Sequence, residues 1–326
     1  MKRFIFAAGQ LLIMGALIAG ASTLLAQPYP NRPIQLIIAN VPGSLMDINS
    51  RALSEELGKI LGTQIIPINK PGAGTVLGTE AVARSKKDGY TLGYISNSAM
   101  VYARILNPET IHYDPEKDLE PLGLHILFPQ SIAVQANSPW KTFNELVGYA
   151  KKNPGKLRVS TMGMGSIAHF ALEVIQSLTG AQFTHVPFKG GESVITALLG
   201  GHVEVTCDTI TKFVSHVESG KLRVLLMSYK MPGYPHVPTM MELGYKQDLP
   251  TPWFALYAPS GLPEEVKKVL MPAVEKAIKN PELKAKIEKM QFVVHYESPI
   301  ELKSRTAEEY EEALAIAQKI GLGKIN

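Results

Sequence analysis

From Pro33 onward the sequence alternates short apolar runs with helical spacings, and it does so twice. This alternation constrains the fold more than any other feature. Strand, helix, strand, helix, strand at such spacing demands a parallel sheet with helices on its faces. Residues 33–39 (PIQLIIA) are apolar almost throughout, as in a strand buried on both faces. Leu53, Leu57, Ile60 and Leu61 recur at helical spacing, and Gly62 stands where a helix should stop. Residues 64–68 and 91–95 are predicted strands, separated by a glycine-rich turn at 72–78 and a short Ala/Val helix ending near Arg84. The pattern restarts with a strand at 132–134, a helix at 143–152, a strand at 157–161 and a helical face made of Ile167, Ala171, Val174 and Leu178. Short strands at 183–186, 203–207 and 222–227 follow, with helices near 192–199 and 212–217 between them. A proline-rich stretch runs from Pro232 to Pro263, and the charged tail from Glu264 reads as helix apart from a strand near 292–296. One strand is too few for a third domain, so the tail is expected to complete the first. The expected α/β architecture is therefore residues 27–125 and 229–326 in one lobe, 126–228 inserted as a second, and a ligand cleft between them.

The amino terminus is a different kind of sequence. Lys2 and Arg3 precede an apolar run from Phe4 to Ala26, broken only by Gln10, Ser22 and Thr23 and ending among small residues. This reads as a secretory signal peptide over residues 1–26. An uncleaved membrane anchor is the alternative, since the run is nearly long enough to span a bilayer. Half of the chain's formal charge of +4 belongs to Lys2 and Arg3 and says nothing about partners of the exported part. No Lys/Arg cluster suggests nucleic-acid binding. An apolar fraction of 45% excludes wholesale disorder, and a single cysteine, Cys207, excludes a disulfide framework or a cysteine-built metal site.

Three loops follow predicted strands and open predicted helices: Pro42-Gly43-Ser44-Leu45-Met46-Asp47, Ser96-Asn97-Ser98 and Gly163-Met164-Gly165-Ser166. In open α/β sheets ligands sit beyond the carboxyl ends of strands, and a helix start suits an anion. Two such loops facing each other could grip a carboxylate without Lys or Arg. Equally, Asp47 and Ser166 could be plain helix caps, and each loop taken singly favours that. Gly163-x-Gly165-x-x-Ala168 also matches a dinucleotide fingerprint, but the next strand end, Thr184 to Lys189, lacks the required acid, so no cofactor is expected. Ser166 has Met164 two residues before it, which is no nucleophile elbow. No two histidines lie three to five residues apart, so no helical metal pair exists. His169 could reach a ligand or simply pack, and packing is the simpler reading. Cys207 is read as ending a strand beside Asp208.

These loops, in this order, resemble the substrate-binding receptors of tripartite tricarboxylate transporters, the Bug-type family. The resemblance runs through Tyr29-Pro30-Asn31-Arg32-Pro33-Ile34, Pro42-Gly43 with Asp47, Lys70-Pro71-Gly72-Ala73-Gly74, Asp88-Gly89-Tyr90-Thr91-Leu92 and Tyr113-Asp114-Pro115. It continues through Gly163-x-Gly165-Ser166 with His169, Val186-Pro187-Phe188-Lys189-Gly190, Gly220-Lys221-Leu222-Arg223, Pro235-x-Val237-Pro238-Thr239 and Ala258-Pro259-x-Gly261-x-Pro263. It implies a type II periplasmic-binding-protein fold whose two lobes close on an organic acid. It also implies a periplasmic, monomeric receptor that hands its ligand to membrane permease subunits and is not an enzyme. A ligand sensor for a signalling partner, or an exported carboxylate-acting enzyme, are the alternatives. By the resemblance, Gly43, Ser44, Leu45, Met46 and Asp47 with Ser96, Asn97 and Ser98 form the first lobe's site. Gly163, Met164, Gly165, Ser166 and His169 with Lys189, Gly190 and Asp208 form the second's. Where the family's first loop commonly reads Pro-Pro-Gly-Gly-Ser-Thr-Asp, this chain has Ser44, Leu45 and Met46, and its second loop has Met164, Ile167 and Ala168 at often polar positions. Loss of hydroxyl groups and gain of apolar surface imply a ligand with a sizeable apolar or aromatic body.

Overall fold

The computed structural model describes residues 28–188 and 191–322; the expected signal peptide, Lys189 and Gly190 lie outside them. In chain order, β1 (Ile34–Ile38), α1 (Leu45–Leu61), β2 (Ile65–Asn69), α2 (Val76–Ala83), β3 (Thr91–Ser96), a π-helical turn (Ser98–Tyr102) running into α3 (Ala103–Leu106), and β4 (Leu119–Leu127) come first. Then follow β5 (Gln130–Gln135), α4 (Phe143–Lys152), β6 (Arg158–Thr161), α5 (Ile167–Thr179), β7 (Thr184–Pro187), α6 (Gly191–Leu199), β8 (Val205–Thr209), α7 (Val214–Glu218) and β9 (Leu222–Met227). The chain ends with β10 (Trp253–Pro259), α8 (Glu264–Ile278), α9 (Pro281–Glu288), β11 (Val293–Glu297) and α10 (Pro299–Ile320).

These strands make two sheets of matching design. The first has the order β11-β4-β10-β3-β1-β2 and the second β7-β6-β8-β5-β9. In each, three parallel strands stand with the first in sequence at their centre: β2-β1-β3 and β7-β6-β8. In each, an antiparallel strand then joins the third, β10 beside β3 and β5 beside β8. Each of these strands follows a passage of the chain from the other sheet. The crossovers run side by side: Phe128 N–H donates to Pro252 O (3.0 Å), Ser228 N–H to Gln130 O (2.8 Å) and Thr251 Oγ1 to Ser228 Oγ (2.7 Å).

Each sheet buries an apolar layer beneath its helices. Ile34, Leu36 and Ile38 of β1 are completely buried with Leu53 and Leu57 of α1 and Leu270 and Val274 of α8. Phe143, Leu146, Val159, Ala171 and Ile175 build the second core. Three features differ from the expectation. β4 and β10 were not anticipated as strands, because prolines at 121, 250, 252 and 259 mask runs that are in fact buried; all seven residues of β10 are buried, so its pattern shows no alternation. Cys207 lies in the middle of β8 rather than at its end, completely buried. The segment after Met227 does not return at once to the first sheet: Met240 and Leu249 pack into the second core before β10 begins. α10, pinned by a Ser298/Glu301 capping box, lies along β4 and then reaches α5, where Lys319 Nζ donates to Ser177 Oγ (3.1 Å).

Candidate functional site

The two loops that follow the middle strands of the parallel trios, β1 and β6, are built alike. After β1, Gly43 takes φ +78°, Ser44 caps α1 by accepting the Asp47 N–H (3.2 Å), and the Gly43 N–H donates back to Asp47 Oδ2 (2.9 Å). After β6, Gly165 takes φ +72°, Ser166 caps α5 by accepting the His169 N–H (3.2 Å), and the Gly165 N–H donates back to His169 Nδ1 (3.1 Å). Glycine is required at both points, since the left-handed backbone is costly for other residues. The cap residue in the first loop is therefore Ser44, and Asp47 acts one turn later as a clasp. Each clasp leaves the next two N–H groups of its helix, at Leu45 and Met46 and at Ile167 and Ala168, without intrahelical acceptors, which is where an anion is favoured.

The clasps themselves are fully engaged. Asp47 Oδ1 also accepts from Arg51 Nε and Asn69 Nδ2, both at 2.9 Å. Burial alone would raise its pKa, but these donors and the Gly43 N–H hold it below the ordinary carboxylate range. The His169 ring stacks on His185 (centroids 4.2 Å apart, 12° between planes), and His185 Nε2 is 2.6 Å from Thr161 Oγ1. Burial, with the neighbouring His185, pushes the His169 pKa down to about 4. His169 is thus a neutral packing residue whose Nδ1 accepts and whose Nε2 carries the proton.

The other predicted residues divide between the loops and the interior. Leu45 and Met164 are exposed, whereas Met46 and Ala168 are buried to within 2%. The Met46 side chain belongs to the core under α1 and not to the loop surface, because its position on the helix turns it toward β1. Ser96 is buried and shares a hydrogen bond with Thr75 (3.2 Å). Ser98 opens the π-helical turn. Asn97 is also turned inward: its Nδ2 donates to Thr251 O (3.1 Å) and Glu309 Oε1 (2.7 Å), and its Oδ1 accepts from Trp253 N–H (3.4 Å). Its amide therefore ties the third loop to the crossover and α10. Gly163 accepts the Ser166 hydroxyl at its carbonyl (2.8 Å). Asp208, in β8, is buried and paired with Lys212 at 2.6 Å. Lys212 escaped the sequence reading; the only signal was its spacing four residues after Asp208, ahead of the next helix.

The lobes meet at the second loop. A Cβ on Gly165 would stand 2.9 Å from Leu106 Cδ1, and Tyr102 packs on Phe170 with centroids 5.0 Å apart. A separate cavity of about 660 Å³ opens beside the crossover under α10, lined by Tyr229, Arg305 and Glu309 among others. None of the loop residues above lines it, so it is a feature of the hinge rather than of the loops.

A sequence profile of the tripartite tricarboxylate transporter family receptor matches residues 49–322. The chain belongs to this family. Its members are periplasmic solute-binding receptors, and the matching pair of sheets is their two-lobed α/β fold. A UPF0065 protein from the gbd 5′ region of Cupriavidus necator is 36% identical over 327 residues, covering 99% of this chain and 98% of the relative. The crystal structure of a TctC solute-binding protein from Polaromonas superposes with a TM-score of 0.81 at 28% identity, covering 89% of this chain and 99% of that one. A Rhodopseudomonas palustris protein with bound malate superposes with a TM-score of 0.67 at 27% identity, covering 88% and 99%. Among the described residues no group of His, Cys, Asp or Glu could hold a metal ion, and no helix is long and apolar enough to cross a membrane.

Proposed function

We propose that this receptor captures an organic acid between its lobes and delivers it, in the closed form, to membrane permease subunits. The observation that carries this reading is the matched pair of glycine-serine helix starts, one per lobe, each clasped so that its outward N–H groups stay free. An anion gripped from both sides would stabilise closure. The malate held by the Rhodopseudomonas palustris relative supports a carboxylate as the ligand class. The site takes in Gly43, Ser44 and Leu45 from the first lobe and Gly163, Met164, Gly165 and Ser166 from the second, with Asp47, Asn97 and His169 positioning them. Lys189 and Gly190 are assigned to the same site on the family resemblance alone. The exposed Leu45 and Met164, with Val41 and Ile48 beside the first loop, favour an acid with an apolar body.

The protein works as an exported monomer without enzymatic activity, its first 26 residues removed as a signal peptide. In this reading the first lobe takes the strands up to Leu127 and those from Trp253 onward, and the second the strands between them; the expected second boundary at 228/229 falls well before Trp253, since Met240 and Leu249 pack into the second core. Native mass spectrometry of the purified mature protein, followed by a thermal-shift screen of mono-, di- and aromatic carboxylates, tests the reading. A ligand that binds only the folded state raises its melting temperature. A co-purified acid, or a shift with one carboxylate class, is expected. No bound acid and no shift with any carboxylate would refute it, and turnover of an acid by the pure protein would replace it with an enzyme.

A further inference from the structure

We propose that Lys212 is the counter-ion for the ligand's carboxylate, held at the second lobe's helix start by Asp208, and that the ligand is a monocarboxylate with its apolar end toward the first lobe. The proposal rests on the receptor reading above and adds to it a cation, an orientation and a ligand class. The first observation is position. β8 ends at Thr209, and the turn Ile210–Lys212 brings the Lys212 ammonium to 2.6 Å from Met162 Sδ, in the loop that leads to Gly165 and α5. Neither glycine-serine loop contains a Lys or Arg of its own, and among the described residues this ammonium is a cation placed beside the second loop.

The second observation is how the ammonium is held. Asp208 is 2% exposed, and its Oδ1 accepts both Lys212 Nζ (2.6 Å) and Thr209 N–H (2.7 Å), while Oδ2 is buried with no donor among the described residues. A buried carboxylate so sparsely donated retains its cation firmly. Yet 27% of the Lys212 side chain is exposed, so the ammonium joins the interior to the loop surface. With three donor positions it can hold Asp208 and a ligand carboxylate at once.

The third observation is an asymmetry of charge between the two helix starts. α1 carries Asp47 in its first turn, against the Gly43 N–H, so an anion there meets a carboxylate already in place. α5 carries no acid in its first turn, and its clasp is the neutral His169. A carboxylate therefore belongs on the second lobe. The first loop instead presents Val41, Leu45 and Ile48, each more than 40% exposed, to the rest of the ligand. A second carboxylate at that end would face apolar side chains and Asp47, whose neighbour Arg51 is already engaged with Asp47 and Asn69.

Calorimetric titration tests this, using benzoate, hexanoate, succinate, malate and the neutral benzamide. The variants are the pair Lys212→Met with Asp208→Asn, which strands no buried charge, and Lys212→Gln, which keeps a donor for Asp208. Melting curves establish that each is folded. The wild type should bind benzoate or hexanoate more tightly than succinate or malate and should ignore benzamide. Each folded variant should lose about tenfold or more in affinity for the monocarboxylate, as for removal of one partner of a partly buried charge pair, and the weakening of binding by salt should diminish. A folded variant binding the monocarboxylate within twofold of wild type would overturn the role of Lys212 while leaving the receptor reading intact. Tighter binding of succinate or malate would overturn the orientation. A wild type that binds no acid at all would overturn the receptor reading, and this proposal with it.

Discussion

His169 shows how a side chain can hold the backbone of a loop in shape. It accepts the Gly165 N–H, so it must stay neutral for the loop to keep its shape. Burial, assisted by His185, sets its pKa near 4, and burial lowers His125 to about 3. An unfolded histidine takes up a proton near pH 6.5 that the folded one refuses until about pH 4. The contribution to stability is therefore complete above pH 6.5 and is lost progressively as the pH falls toward 4, by roughly 3 kcal/mol at most for His169. Melting temperature should accordingly begin to fall below pH 6.5, before most carboxylates titrate. His169→Gln keeps an acceptor for Gly165 and should flatten that decline; equal slopes for wild type and variant between pH 7 and 5 would show that His169 plays no part. The Gly-Ser-x-x-Asp and Gly-Ser-x-x-His patterns that place these clasps were visible in the sequence as loops, because caps and turns are local chemistry. That Asp47 and His169 clasp the glycines was not visible, since it depends on which atom of each side chain turns back to the glycine.

At the scale of elements, most of the helices and the parallel strands were legible from periodicity, and the two interior antiparallel strands β4 and β10 were not. A strand buried on both faces and bounded by prolines has no alternation to read. The ties between elements were hidden for another reason: Asn97 and Glu309 lie 212 positions apart, and no local pattern encodes such a pairing. Glu309 accepts Asn97 Nδ2 (2.7 Å), Tyr102 OH (2.9 Å) and Trp253 Nε1 (2.8 Å), joining α10 to the third loop and the crossover. Burial raises its pKa, opposed by these three donors. Glu309→Gln replaces one acceptor with a donor among three donors, so one buried donor must lose its partner, at a cost of about 1–3 kcal/mol. A melting temperature within a degree of wild type would mean that the three bonds do not form together. Ser44→Ala and Ser166→Ala each remove a cap and should each cost about 1 kcal/mol in chemical denaturation, with the two losses adding because the caps sit in different lobes.

Across the whole molecule, the second loop is one of the places where one lobe touches the other, and on the proposed closure this makes Gly165 a reporter of it. Leu106 comes from the first lobe and lies against Gly165 of the second. Alanine at 165 has two separable effects. It strains a backbone at φ +72°, by roughly 1–2 kcal/mol, and it sets a Cβ 2.9 Å from Leu106 Cδ1, so the leucine or the lobe must move. The strain acts within one lobe and lowers stability with or without ligand. The contact acts between lobes and, on the proposed closure about an anion, should weaken ligand binding. Leu106→Ala removes the contact and leaves the strain. In a double-mutant cycle read by calorimetric affinity for the acid found in the carboxylate screen, the double variant should therefore bind more tightly than the sum of the single losses allows, by about 0.5 kcal/mol or more. Read by melting temperature without ligand, the coupling should be smaller, because the strain at Gly165 remains in both backgrounds. Additive losses of affinity would place the Leu106 contact outside closure and leave Gly165 important for its backbone alone.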